Sequence, residues 1–274
     1  MTVQLRSIFP KPKPIIAMVH LRPLPGSPLY DKANCDFNKV LQIAADEAKI
    51  LEDAGVDGVQ VENIWDYPYL KGSEIGHETT AALAVAAAKV KEAVAIPVGV
   101  NCHLNGGEPA LAAAVTSGAR WIRVFEWVNA YISQVGYVES VAAKLSRYRR
   151  ALEAIDVMFM CDVNVKHGSH FIISDRPVFE QARDAEIQGA DALIVTGFET
   201  GAAPNPENIR KCKESVDLPV LLGSGVTREN ARELMTIADG AIVGSYFKTG
   251  NNWKKPVEGP RAKTFMREMA AIRG

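Results

Sequence analysis

The chain has 274 residues, 47% of them apolar, with 31 basic against 32 acidic side chains and a formal charge of −1. That length is close to the roughly 250 residues of a one-domain α/β barrel, and near-neutrality argues against a nucleic-acid or anionic-membrane partner. No run approaches the ~18 uninterrupted apolar residues of a membrane span. The opening MTVQLRSIFPKPKP lacks the apolar core of a signal peptide, and Cys35, Cys102, Cys161 and Cys212 have neither metal nor redox spacing. A cytoplasmic protein with reduced thiols is expected.

After an extension over residues 1–14, β-branched runs alternate with Ala-rich helical segments, the pattern of βα units around a parallel sheet. The runs fall at 15–20 (IIAMVH), 58–63 (GVQVEN), 97–102 (PVGVNC), 120–126 (RWIRVFE), 157–163 (VMFMCDV), 192–197 (ALIVTG), 219–223 (PVLLG) and 240–245 (GAIVGS). Four lead-ins, at 53–59 (DAGVDGV), 117–121 (SGARW), 188–193 (QGADAL) and 238–242 (ADGAI), repeat one theme. In each a helix is expected to end on a left-handed glycine before the next strand. Pro97 and Pro219 open strands, where the missing N–H costs no ladder bond. Eight units without a Rossmann glycine fingerprint predict one (β/α)8 TIM barrel spanning 1–274. The loops after runs one, two, five, six and eight are long, which places function at the C-terminal end of the strands.

Strand side chains alternate, so a polar residue in an apolar run tells which face looks into the barrel. Val59 and Val61 share one face, and Glu62, opposite them, points inward, because a carboxylate against the apolar helix layer is costly. The same reasoning turns Asn101, His103, Arg123, Asp162 and Thr196 inward, and His20 closes the first run. All five histidines (His20, His77, His103, His167, His170) fall at a strand's C-terminal end or in the loop after it. Glu62 and Asp162 are the candidate general base and acid, with the alternative that either is ion-paired to Arg123 as a plug. His20 and His103 are candidates for proton transfer, Asn101 for orienting a substrate, and His77 for a helix-cap position. No lysine lies in a strand, so Lys166, in the fifth loop, is the lysine to consider.

The sharpest local signal is 222–226 (LGSGV), paired with 242–245 (IVGS) after the next strand. Gly223, Ser224, Gly225, Gly244 and Ser245 let backbone N–H groups approach an anion where the loops after strands seven and eight converge. A helix starting near Thr227 and a short one after Ser245 are expected to add their positive ends. The loop at 196–205 (TGFETGAAPN), with Thr196, Gly197 and Thr200, and His167 from the fifth loop, are candidate substrate contacts. A divalent metal held by Glu62, His103 and Asp162 with His20 is a further candidate, compatible with zinc or manganese. The aromatic loop at 65–69 (WDYPY), with Trp127 and Tyr131, reads as exposed: a lid, a homo-oligomer interface or a docking surface.

Met18-Val19-His20-Leu21 with Pro23-Leu24-Pro25-Gly26, then 58–63 (GVQVEN), Gly99-Val100-Asn101, 195–201 (VTGFETG) and 222–226 (LGSGV), together resemble the BtpA (BtpA/SgcQ) family over nearly the whole chain. The resemblance implies a ribulose-phosphate-binding type of barrel and supports the phosphate role of Gly223 to Gly225, Gly244 and Ser245. It supplies no catalytic residues. The family takes its name from a cyanobacterial protein linked to photosystem I biogenesis, while relatives occur in non-photosynthetic microbes beside sugar-metabolism proteins. Two functions are therefore expected to compete. One is an enzyme on a small phosphorylated sugar or nucleoside-like compound, by isomerisation, retro-aldol lysis or glycosidic cleavage. The other is a non-catalytic assembly or stability factor.

Overall fold

Each apolar run folds as a strand because β-branched side chains pack well on a pleated surface buried on both faces. The computed structural model describes residues 2–197 and 201–273. The strands are β1 (Ile15–His20), β2 (Gly58–Glu62), β3 (Val98–Asn101), β4 (Trp121–Val124), β5 (Tyr131–Ser133), β6 (Gly136–Val138), β7 (Met158–Val163), β8 (Ala192–Val195), β9 (Val220–Leu222) and β10 (Gly240–Val243). Eight of them close a parallel barrel in the order β1-β2-β3-β4-β7-β8-β9-β10, and β5 and β6 form a separate hairpin. The helices are α1 (Phe37–Asp53), α2 (His77–Ala93), α3 (Gly107–Ser117), α4 (Ala142–Ala151), α5 (Val178–Ile187), α6 (Pro206–Ser215), α7 (Arg228–Leu234) and α8 (Gly259–Arg273). The eight expected runs are all present, several shortened at one or both ends.

Three of the four lead-in glycines are left-handed as expected: Gly55 at φ +91°, Gly118 at φ +72° and Gly189 at φ +86°. The fourth is different. Gly240 is the first residue of β10, and a Cβ there would stand 2.8 Å from the Pro14 carbonyl oxygen. Close approach of the N-terminal segment, not a helix cap, requires glycine at that position.

The strand alternation sorts the core into two bodies. Val59, Val61, Val100, Ile122, Cys161 and Leu193 join the large cluster between sheet and helices. Ile16, Met18, Trp121, Met158, Met160 and Ile194 face inward and meet Leu5, Ile8 and Phe9. The segment expected as an extension, described from residue 2 to 14, is therefore part of the core. Phe9 is 1% exposed and packs 5.3 Å from Trp121, closing the barrel floor, and the Val3 N–H donates to Asp191 Oδ1 at 2.8 Å. Trp121 lies across the barrel, and its Nε1–H donates to Gln60 Oε1 at 3.0 Å. Gly99 makes room for it, since a Cβ there would overlap the indole. With the floor filled in this way, the ionisable side chains His20, Glu62, Arg123 and Asp162 gather at the opposite mouth.

Two expectations about the segment after β4 are corrected. It is a long insertion carrying the β5–β6 hairpin, turned through Gly136 at φ +91°. Trp127 and Tyr131 are not exposed: they are 0% and 4% accessible. Trp127 packs 5.5 Å from Phe159 and donates to the Ala185 carbonyl at 3.2 Å, and the Tyr131 hydroxyl donates to Asn105 Oδ1 at 2.7 Å. Each polar tip finds a partner, which is what lets these large rings bury. Among the described residues, no helix is long and apolar enough to cross a membrane.

Candidate functional site

Register brings three inward polar residues side by side at the barrel mouth: His20 on β1 pairs with Glu62 on β2, which pairs with Asn101 on β3. Glu62 Oε1 lies 3.0 Å from His103 Nε2 and 4.0 Å from His20 Nε2, while Asn101 Nδ2 donates to Glu62 Oε2 at 2.6 Å. The His103 backbone N–H donates to Asn63 Oδ1 at 2.7 Å, which fixes the loop that carries the imidazole. Burial opposes ionisation of Glu62, but His103, His20 and Arg123 outweigh it and hold the carboxyl well below the usual range. His20 goes the other way: burial, then the Lys248 charge, push it down to about 3, so its ring is neutral near pH 7. The mouth thus holds a buried carboxylate beside one neutral imidazole and one hydrogen-bonded imidazole.

Asp162 does not join this group. Arg123 Nε and Nη2 donate to its two oxygens at 2.7 and 2.8 Å, and the pair is buried. The plug alternative describes Asp162, whose side chain lines neither cavity described below. The expected metal set fails for the same reason, because both Asp162 oxygens are committed to the guanidinium. Among the described residues, no group of three or more His, Cys, Asp or Glu is placed to hold a metal ion.

Two adjoining cavities open above the mouth. The smaller, about 130 Å³, is bounded by His20, Glu62, Gly223 to Thr227 and Gly244 to Tyr246. The larger, about 390 Å³, is walled by Tyr69, His103, Phe125, Tyr131, Val165 and Trp253 among others. Glu62, Ile64, Arg123 and Lys166 line both, so they form the passage between them. Burial, then the nearby Arg123 charge, push Lys166 down to about 8.

The residues Gly223 to Gly225, Gly244 and Ser245 all line the smaller cavity, but their polar groups are used differently from what the sequence suggested. Gly225 sits at φ +70°, and a Cβ there would overlap the backbone of Ala202 and Ala203. The Gly223 N–H is spent on the Val195 carbonyl at 2.9 Å, whereas those of Ser224, Gly225 and Val226 have no partner among the described residues. The Ser224 hydroxyl is not free for a ligand. It accepts from the Gly197 N–H at 3.2 Å and donates to the Ala202 carbonyl at 3.0 Å, tying the loop after β8 to the turn after β9. The helix expected near Thr227 is α7, of only seven residues, and the short helix expected after Ser245 is a single 3-10 turn (Ser245–Phe247), so neither supplies a strong positive end. Gly197 thus acts through Ser224. Thr196 lines neither cavity, His167 lines the larger one, and Thr200 lies outside the described residues.

The BtpA family model matches residues 11–271. The chain belongs to the BtpA family. It is 32% identical to the photosystem I biogenesis protein BtpA of Synechocystis over 98% of this chain and 92% of that one. It is 37% identical to an uncharacterized protein of Methanocaldococcus jannaschii over 92% and 94% of the two chains. Among solved structures it superposes on a Mycobacterium tuberculosis tryptophan synthase chain with TM-score 0.61 at 17% identity, covering 99% and 98%. A thiamine phosphate pyrophosphorylase from Pyrococcus furiosus gives TM-score 0.60 at 14% identity, covering 96% and 97%. At such identities the structures attest the barrel fold alone.

Sequence reasoning missed Phe125 and Trp253 in this BtpA-family site and reached Tyr69 only as part of an aromatic lid or docking loop, because loop residues carry no periodicity to betray their direction. It also missed Glu126, just past β4 and 2% exposed, whose Oε1 accepts from the Gly107 N–H at 3.3 Å. Burial pushes the Glu126 carboxyl up to about 7, against an ordinary value of 4.5. Between those two values the folded chain holds a proton that the unfolded chain has released, so stability falls as pH rises through the window and the loss is complete above it. At pH 8 the deficit is about 3 kcal/mol. Glu126→Gln is therefore expected to melt higher than the parent at pH 8 and level with it at pH 4. Thermal melts at both values check this, and an equal offset at the two would rule it out.

Proposed function

We propose that this barrel is an enzyme that moves protons on a small phosphorylated substrate, in a reaction of the isomerase, lyase or hydrolase type. The observation that carries the reading is a buried Glu62, held as a carboxylate in contact with His103, that lines one cavity with a glycine turn whose N–H groups have no partner among the described residues. Such N–H groups suit a phosphoryl oxygen, and anchoring a remote phosphate holds the reacting end against the mouth. Glu62 is the general base, His103 shares its proton, and neutral His20 donates a hydrogen bond to an oxygen as charge builds there. Lys166, close to half-protonated near pH 8, supplies a cation or an acid between the two cavities.

The printed name of the Synechocystis relative favours a second reading, an assembly factor related to photosystem I biogenesis. Such a factor has no need of an ionised Glu62, so loss of turnover on changing that residue separates the two readings.

The anion site is tested by thermal denaturation with inorganic phosphate and ribose 5-phosphate. A ligand at a hundredfold over its Kd adds about 2.7 kcal/mol, a rise of several degrees in Tm. Gly225→Ala, whose Cβ forces the turn away from Ala202, is expected to lose that rise. A rise of the same size in the variant, or none in the parent, sinks the assignment.

A further inference from the structure

We infer that the phosphorylated substrate also carries a planar heteroaromatic ring, and that this ring occupies the larger cavity while the phosphate occupies the smaller one. The inference rests on the anion reading of the smaller cavity and deepens it to a substrate class: a ribosylated heterocycle 5′-monophosphate. At about 130 Å³ the smaller cavity has room for a phosphoryl group beside the glycine turn. The larger cavity, at about 390 Å³, has room for a fused ring system and is walled by aromatic faces. Tyr69 lies over the His103 ring at 4.9 Å with planes 31° apart, and Phe125 meets the same His103 ring edge-on at 5.3 Å. Trp253 is held at the mouth, 5.2 Å from Trp65 and under the Lys254 ammonium.

Sugar hydroxyls against such walls would exchange water for contacts that offer them few acceptors, a cost of a hydrogen bond or more each. A flat ring instead gains stacking on either face. The lining is also not purely apolar. Ser133, Gln134 and His167 border it, and His103 Nδ1 is buried without a hydrogen-bond partner among the described residues. Polar groups at the rim of a stacking slot match the ring nitrogens and exocyclic groups of a heterocycle better than a plain hydrocarbon ring. A ligand spanning both cavities passes Glu62, Arg123 and Lys166, which line both, so the sugar that joins phosphate to ring lies against the ionised carboxylate. That is the carbon skeleton on which Glu62 is placed to act.

Isothermal titration of the full chain with inorganic phosphate, ribose 5-phosphate, AMP, UMP and nicotinamide mononucleotide tests this. At least one ring-bearing monophosphate is expected to bind ten times more tightly than ribose 5-phosphate, the yield of one well-stacked ring. In Tyr69→Leu, and independently in Phe125→Leu, the ratio of the two Kd values should collapse towards one. Ring-bearing monophosphates that bind no more tightly than ribose 5-phosphate overturn the ring assignment and leave the anion site standing. Failure of both ribose 5-phosphate and inorganic phosphate to bind overturns the two together.

Discussion

Glu62→Gln is expected to cut turnover by about 10² to 10⁴-fold while the melting temperature moves by only a few degrees, because the change removes a proton acceptor and keeps the shape of the side chain. The amide oxygen can still accept from Asn101 Nδ2, which now lies 2.6 Å from Glu62 Oε2, so the mouth keeps its packing. The assay follows a panel of ribosylated monophosphates by ³¹P NMR with parent and variant in parallel. The pH profile carries further information. Glu62 is held below the ordinary carboxylate range, and His20 titrates at about 3, so neither gives a limb between pH 5 and 8. Lys166, lowered to about 8, is protonated below that value, so turnover that uses its proton falls as pH rises through it. A variant that retains more than a third of the parent's turnover would remove Glu62 from the chemistry and return the family's assembly-factor reading to the front.

The barrel was legible because its signal is periodic and repeated. β-branched runs recur eight times and the glycine lead-in four times, and each recurrence supports the others. Gly55, Gly118 and Gly189 take the left-handed backbone their motif demands, whereas Gly240, in a similar lead-in, is glycine because the Pro14 backbone runs over it. A motif fixes local chain reversal; it carries no record of what another segment brings close. The hairpin after β4 escaped for a related reason, since three-residue strands are shorter than any window in which alternation can be counted.

Of the candidate site, parity gave the direction of each side chain but not its partner. Glu62 and Asp162 both point inward, and no pattern in the sequence distinguishes a carboxylate shared between imidazoles from one clamped by a guanidinium. The distinction arises across strands: β4 lies directly beside β7 once the hairpin is set aside, which puts Arg123 within bidentate reach of Asp162 and leaves Glu62 to His103. Ser224 shows the same limit on a smaller scale. Its position beside the glycines suggested a ligand contact, and its hydroxyl is consumed in joining two loops that are 27 residues apart.

The largest loss of stability is expected from Arg123→Met. Asp162 is fully enclosed, and its two oxygens take both of their short hydrogen bonds from this one guanidinium, which also lies 4.9 Å over the Phe125 ring. Removing one partner of a buried ion pair leaves a charge without solvent or counter-charge, at a cost of about 3–5 kcal/mol. For a chain of this size that lowers Tm by on the order of 10 °C. The double variant Arg123→Met/Asp162→Leu removes both charges and fills the space with apolar groups, so it should recover most of the loss; the pair is then a device for shaping the mouth and not a net source of stability. If the single variant fails to fold, Asp162→Asn carries the test, since it removes the charge and one of the two acceptor oxygens of the clamp while keeping the volume. Near-parental melting of Arg123→Met, or a double variant no better than the single one, means that Asp162 finds another partner in solution. In that case its exclusion from the chemistry beside Glu62 no longer follows.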